Sequence, residues 1–217
     1  MTTVDFKLSL SEKLRQEAEK AGADGALLVA PYYNKPTQAG LVAHFTAVAK
    51  ATKLPMMLYS IPGRCGIEIA VETVQTLAAQ CPNIVSIKES GGTPDRVSQL
   101  RQVLPESFTI MCGDDSLTVP FMSVGAAGVV SVASNLAPKE VSGMVKAFAA
   151  GNSREAERLH RKLYPLFKDL FIETSPVPIK TALARRGWMT GDVRLPLAPM
   201  LPVNLAKLEK TLQALGL

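Results

Sequence analysis

The sequence predicts an α/β fold built on a parallel sheet, and three observations predict it. Short apolar runs recur along the chain, starting near residues 26, 55, 84, 108 and 128. Each run is followed by a segment whose apolar residues recur at helical spacing. The runs are apolar throughout rather than alternating, the mark of strands covered on both faces by helices. This period does not by itself separate a closed barrel from an open sheet.

In chain order, Ser11 is placed to cap a helix running to about Ala21, ended by Gly22. The run Ala26-Leu-Leu-Val-Ala30 closes at Pro31. A segment from about Thr37 to Thr52 repeats Leu41, Phe45 and Val48 at helical spacing, and Pro55-Met-Met-Leu-Tyr59 is the next strand. Val71 to Ala79 reads as a helix and Ile84-Val-Ser-Ile-Lys88 as a strand. Asp95 to Leu104 and Phe108-Thr-Ile-Met-Cys112 repeat the pair. Leu117 to Val124 is a short helix, Gly128-Val-Val-Ser-Val132 a strand and Pro138 to Ala150 a helix. After Ala150 no strand is expected. Ser153 to Asp169, Val177 to Arg186 and Val203 to Leu215 read as helices, with a Pro-rich linker from Leu195 to Pro202. The expected organisation is therefore an α/β part over 1–150 and a helical extension over 151–217.

Bulk properties narrow the functions. With 217 residues, 47% hydrophobic and 20% charged, the composition is that of a globular protein. The net charge of +5 is spread along the chain, with only short clusters such as Arg185-Arg186. No stripe of basic residues interleaved with aromatics points to nucleic acid. No uncharged apolar run approaches the roughly 20 residues that cross a membrane. Cys65, Cys81 and Cys112 match no zinc spacing, their odd number argues against a disulfide framework, and His44 and His160 are too few for a histidine-rich metal site. The first residues show no basic-then-apolar signal pattern, so a reduced, cytoplasmic setting without metal or cofactor is expected.

In a parallel α/β fold the chemistry gathers where strands end. Lys88 closes an apolar strand, where a charge is costly unless paired or neutralised. A buried lysine gives up its charge more readily and becomes an amine able to attack a carbonyl. The alternative is a lysine reaching solvent, paired with Glu89. Tyr59 ends the preceding strand, where a phenol beside Lys88 could relay protons; a tyrosine at the core edge is the plainer reading. Arg64 sits in a Pro-Gly-Arg loop on the same side. A guanidinium there suits a carboxylate, and a structural ion pair is equally open.

The ordered motifs Pro31-Tyr32-Tyr33-Asn34, Tyr59-Ser60-Ile61-Pro62-Gly63-Arg64, Ile87-Lys88-Glu89-Ser90, Gly113-Asp114-Asp115 and Gly128-Val129-Val130-Ser131-Val132 resemble the dihydrodipicolinate synthase family of class I aldolases, within the N-acetylneuraminate lyase superfamily. The likeness runs from about Ala21 to Leu217 and takes in the Ser175-Pro-Val-Pro-Ile-Lys180 segment. It implies a TIM-barrel-derived fold, a lyase of lysine biosynthesis, no cofactor, and pyruvate and aspartate semialdehyde as substrates. By the resemblance, Lys88 forms the imine with pyruvate, Tyr59 belongs to the proton relay, and Tyr33 is lent to the neighbouring subunit's site. Arg64 holds the semialdehyde carboxylate, Gly113 and Val130 line the pyruvate pocket, and Tyr32 lies at a dimer interface near a lysine-feedback site. Homo-oligomers, dimers or tetramers, are implied. Another aldehyde acceptor, or a non-catalytic binding or scaffold role, is the alternative.

Two departures from the pattern stand out. Ser60 occupies a position where many members carry Asn. The family's opening three strands, with a Gly-Thr-Thr-Gly-Glu-Ser type loop that binds the pyruvate carboxylate, have no counterpart among the residues. A barrel with a helical extension should exceed about 250 residues. The expectation is therefore a shortened, partial barrel of about five βα units that depends on oligomerisation, with weak or no turnover unless another chain supplies the absent groups.

Overall fold

The computed structural model describes Glu17, Lys20 and residues 21–217. Most of the helix expected from Ser11 to Ala21 lies outside the described residues; Glu17 and Lys20 are helical, and Ala21 N–H donates to the Glu17 carbonyl at 2.9 Å. The five strands are β1 (Ala26–Val29), β2 (Met56–Ser60), β3 (Ile84–Glu89), β4 (Thr109–Cys112) and β5 (Gly128–Val129). They follow one another in the sheet in sequence order, and β1 to β4 pair in parallel. The α/β expectation and the five strands hold.

The chain divides into two compact units. Of the described residues, the first comprises those up to Cys112 and 123–127, the second 113–122 and 128–217. In the first, β1 to β4 carry helices α1 (Gln38–Lys50), α2 (Pro62–Cys65), α3 (Val71–Gln80) and α4 (Pro94–Val103). Thr37 starts α1 by accepting the Gly40 N–H on its hydroxyl at 3.2 Å, and Thr93 does the same for Arg96 N–H at 3.4 Å at the start of α4. Proline at the first turn of α2 and α4 needs no amide partner there. One strand row, Leu28, Leu58, Ile87 and Ile110, is buried at every position and packs with Leu41, Phe45, Val48, Val74 and Leu77 into the core of this unit.

Burial on both strand faces, expected from the continuous apolar runs, does not hold for β1. Leu27 and Val29 alternate with buried Leu28 and are 49% and 43% exposed. Strand side chains alternate between faces, so one covered face still leaves every second residue of β1 open. Pro62 to Cys65, expected as loop, makes one helical turn closed by Gly66 in the left-handed region at φ 66°.

The second unit contains α5 (Thr118–Met122), β5, α6 (Pro138–Ala149), α7 (Ser153–Asp169), α8 (Val177–Arg185) and α9 (Pro202–Leu215). Its core gathers Ala133, Val141, Met144, Leu163, Phe167 and Leu208. The buried Asp169 carboxylate joins α7 to α9, accepting from Thr211 Oγ1 at 2.6 Å and pairing with Lys207 Nζ at 3.1 Å. The strand expected over 128–132 shortens to two residues. At Val132 the backbone turns helical, and its N–H and that of Ala133 go to a side chain instead of a ladder. All three cysteines are buried and none forms a disulfide, and no helix among the described residues is long and apolar enough to cross a membrane.

His160 on α7 lies against Tyr164 and Phe167, and its Nδ1 is buried without a hydrogen-bond partner. Burial lowers its pKa from the ordinary histidine value. The folded state thus disfavours the imidazolium. The stability involved is complete above the unfolded value of about 6.5 and is lost as pH falls below it toward the lower folded value. Denaturant melts of wild type and His160→Leu at pH 7.5 and 5.5 should show a smaller loss at acid pH in the variant.

Candidate active site

The ladder between β2 and β3 determines which groups meet. Met56 pairs with Ile84 and Met57 with Ser86, so the register skips Val85. From there Leu58 pairs with Ile87, Tyr59 with Lys88 and Ser60 with Glu89. Residues paired in adjacent strands point to the same face. Tyr59 and Lys88 therefore stand side by side on one face, and Ser60 and Glu89 on the other. The Lys88 ammonium nitrogen lies 4.1 Å from the centre of the Tyr59 ring, within reach of the attraction between a cation and an aromatic face. Both residues are only partly buried, so the amine sits at a strand end with an aromatic wall and an open side.

Glu89 does not serve as partner to Lys88. It is fully buried on the opposite face, where it accepts Gly91 N–H on Oε1 at 2.6 Å and Arg96 Nε–H on Oε2 at 3.1 Å. Burial raises the Glu89 pKa above the usual carboxylate range; the Arg96 charge and the Gly91 amide pull it down, and neighbouring Glu68 pushes it up. Arg96 Nε also pairs with Glu68 Oε1 at 3.4 Å, and its Nη2 donates to the Ile69 carbonyl. Gly91 makes room for this cluster: a Cβ there would lie 2.7 Å from Glu89 Oε1 and 2.9 Å from Glu68 Oε1.

Arg64 lies in α2, exposed, on the connection that leaves Tyr59-Ser60. Ser60 ties down the rest of that connection. Its Oγ accepts Ile69 N–H at 3.3 Å, and its carbonyl accepts Ser90 N–H at 2.9 Å. Tyr32 and Tyr33 follow β1 and are 57% and 87% exposed. Tyr33 and Lys35 have φ of 65° and 43°, a left-handed pair of non-glycine residues in one short loop. The structure thus brings Tyr59 and Lys88 into contact and leaves Tyr33 at the surface.

Gly113 and Val130 belong to the second unit. Gly113 follows β4, and Val130 follows β5. Behind them, buried Asp115 accepts Val132 N–H and Ala133 N–H on Oδ2, both at 3.0 Å. Burial raises the Asp115 pKa; Ser131 and the two amides work against that rise, and Asp114 adds to it. Among the described residues no group of three or more His, Cys, Asp or Glu could hold a metal ion.

Sequence reasoning missed Arg96 and Glu68, and named Asp115 only as part of a motif, without its role. A signal for such a partner exists in the residues: adjacent Lys88 and Glu89 in a strand must point to opposite faces, so one of them requires an opposite charge or solvent behind the sheet.

The dihydrodipicolinate synthetase family profile matches residues 7–215. A 4-hydroxy-tetrahydrodipicolinate synthase of Desulforamulus reducens is 52% identical over 195 residues, 90% of this chain and 66% of that protein. The structure of the 4-hydroxy-tetrahydrodipicolinate synthase from Methylacidiphilum fumariolicum SolV superposes with a TM-score of 0.95 at 56% identity, covering 96% of this chain and 70% of that one. The crystal structure of dihydrodipicolinate synthase from Aquifex aeolicus gives a TM-score of 0.91 at 48% identity, over 92% and 68%. The chain spans about two thirds of the length of these relatives.

Asp115 yields a direct expectation. Asp115→Ala leaves two amides without an acceptor, and each such buried group costs about 1–3 kcal/mol. Asp115→Asn keeps a carbonyl oxygen and has no charge to bury. Chemical denaturation should show a clear loss for Asp115→Ala and a smaller one for Asp115→Asn.

Proposed function

The chain belongs to the dihydrodipicolinate synthetase family, and from that premise we propose that it condenses pyruvate, held as an imine on Lys88, with aspartate semialdehyde in lysine biosynthesis. The observation that carries this reading is the pairing of Lys88 with Tyr59 at the ends of β3 and β2, with Nζ 4.1 Å from the ring centre.

The chemistry follows from an amine in that place. The neutral amine of Lys88 attacks C2 of pyruvate, and the addition product loses water to leave the imine. Loss of a proton from C3 gives an enamine, whose C3 attacks the aldehyde carbon of the second substrate, and that oxygen takes up a proton. Protons move at the nitrogen, at C3 and at a carbonyl oxygen in turn, and the phenol of Tyr59 is the acid–base group beside the amine. Such help is worth roughly 10²–10⁴-fold. The imine also places a cationic nitrogen where the Tyr59 ring favours it.

Arg64, exposed on α2 in the connection that leaves Tyr59, is assigned to the carboxylate of the semialdehyde. Gly113 and Val130, each immediately after a strand, are assigned to pyruvate. We assign Tyr33 to the site of a second subunit and Tyr32 to the interface with it, in a homo-oligomer in a cytoplasmic setting. Their exposure on a left-handed loop supports groups that act outside their own chain.

Incubation with pyruvate and borohydride, followed by peptide mapping, should place a reduced adduct on Lys88. Lys88→Arg should lose it, and Tyr59→Phe should slow its formation by about a hundredfold or more, the low side of a lost acid–base group. No adduct on Lys88 sinks the reading; an adduct without condensation when aspartate semialdehyde is added limits it to imine chemistry. Sedimentation at micromolar concentration should show a dimer or larger, and a stable monomer contradicts the oligomer.

A further inference from the structure

The face of the sheet away from Lys88 holds a charged cluster that imine chemistry does not use. Glu89 projects from the residue after Lys88, and Arg96 reaches it from the first turn of α4. The same guanidinium grips residues of the β2–α3 connection at two points, the Glu68 carboxylate and the Ile69 carbonyl. That connection carries Arg64. We propose that Arg96 is a positioning residue that fastens the Arg64-bearing connection, residues 61–70, to the end of β3, so that the Arg64 guanidinium keeps its place relative to the Lys88 amine.

Three features converge on this. The Arg96 side chain is 9% exposed and that of Glu89 0%, so the pair is out of water and its geometry is fixed by contact. Glu68 is 42% exposed, so the second carboxylate is held at the rim, where the connection returns from the site. Gly91 makes room for both carboxylates at once, since a side chain there would meet each of them. Other ties flank the clamp. Gln38 Nε2 donates to the Glu68 carbonyl at 2.9 Å, its Oε1 accepts Ala70 N–H at 3.0 Å, and Ser60 Oγ accepts Ile69 N–H. These join the connection to α1 and β2. Arg96 joins it to β3, the strand that bears Lys88.

A planar guanidinium fits this task. It offers several donors in one rigid fork, and here Nε donates to Glu89 and faces the Glu68 carboxylate while Nη2 donates to the carbonyl. A lysine could keep a charge near Glu89 but could not span all three acceptors. The positioning role predicts a split between the two substrates: pyruvate needs Lys88, while the carboxylate of the aldehyde needs Arg64 in place.

The aldehyde's dependence on Arg64 rests on the proposed function, so the test has one arm that needs no substrate. Amide hydrogen exchange of the full chain, resolved by peptide, is compared for wild type, Arg96→Met, Arg96→Lys and Glu68→Gln. Exchange in 61–70 should rise about tenfold in Arg96→Met, less in the other two, with β1 and β4 unchanged. The second arm follows borohydride trapping and condensation. Arg96→Met should keep the half-saturating pyruvate concentration within about twofold, while half-saturating aspartate semialdehyde rises about tenfold or more. Unchanged exchange in 61–70, or a rise spread evenly over the first unit, overturns the proposal. So does an equal loss for both substrates. Should Arg96→Met fail to fold, Arg96→Lys and Glu68→Gln decide by the same readings. If wild type forms no pyruvate adduct, the proposed function fails while the exchange arm still decides the clamp.

Discussion

One skipped residue governs the site. Because Val85 falls outside the ladder between β2 and β3, Lys88 pairs with Tyr59 and Glu89 with Ser60. Without that skip, the same spacing would set Ile87 opposite Tyr59 and Lys88 opposite Ser60. A one-residue slip moves every side chain of a strand to the other face. Lys88 would then point into the helix-covered core, and the Glu89 carboxylate would point out on the face of Tyr59. The irregularity therefore decides which of two adjacent charges is the open amine and which the buried anchor.

From that phase the rest follows on both sides of the sheet. The open face receives an amine against an aromatic ring, a setting that tolerates a cationic nitrogen. The covered face receives a carboxylate that must be paired, since breaking a buried pair costs about 3–5 kcal/mol. Arg96 answers that need and, in doing so, takes hold of the connection that carries Arg64. The second unit repeats the device with different parts. Asp115 is buried two residues beyond Gly113 and takes the amides that follow Val130. In each unit a buried carboxylate close to an assigned site residue accepts backbone amides of a loop.

Much of this was legible in the residues, and the limits are physical. Helices α1, α3, α4, α6 and α7 announce themselves through their spacing between the strand runs, while the caps Thr37 and Thr93 emerge only in the structure. Lys88 and Tyr59 were readable as strand-end residues because each closes an apolar run, and ordered motifs joined them to a family. The skip at Val85 was not, because a run of Ile-Val-Ser-Ile gives no sign of which residue leaves the ladder. The shortening of β5 depends on Asp115, a contact across sixteen intervening residues between it and Val132, and local spacing does not encode it. Arg96 reads as a solvated residue in the first turn of a helix until the burial of Glu89 is known. The openness of β1 at Leu27 and Val29 was hidden for another reason: an apolar run shows that a strand can be covered on both faces, not that it is.

The central claim is that the phase of β3 presents Lys88, beside Tyr59, as the amine that captures pyruvate. A crystal of the full chain soaked in pyruvate tests this most directly. The account predicts continuous density from Lys88 Nζ to C2 of pyruvate, with the Tyr59 ring alongside and Glu89 still bound to Arg96 behind the sheet. Pyruvate joined to a different lysine, or an unmodified Lys88 turned to the face of Glu89, would contradict it.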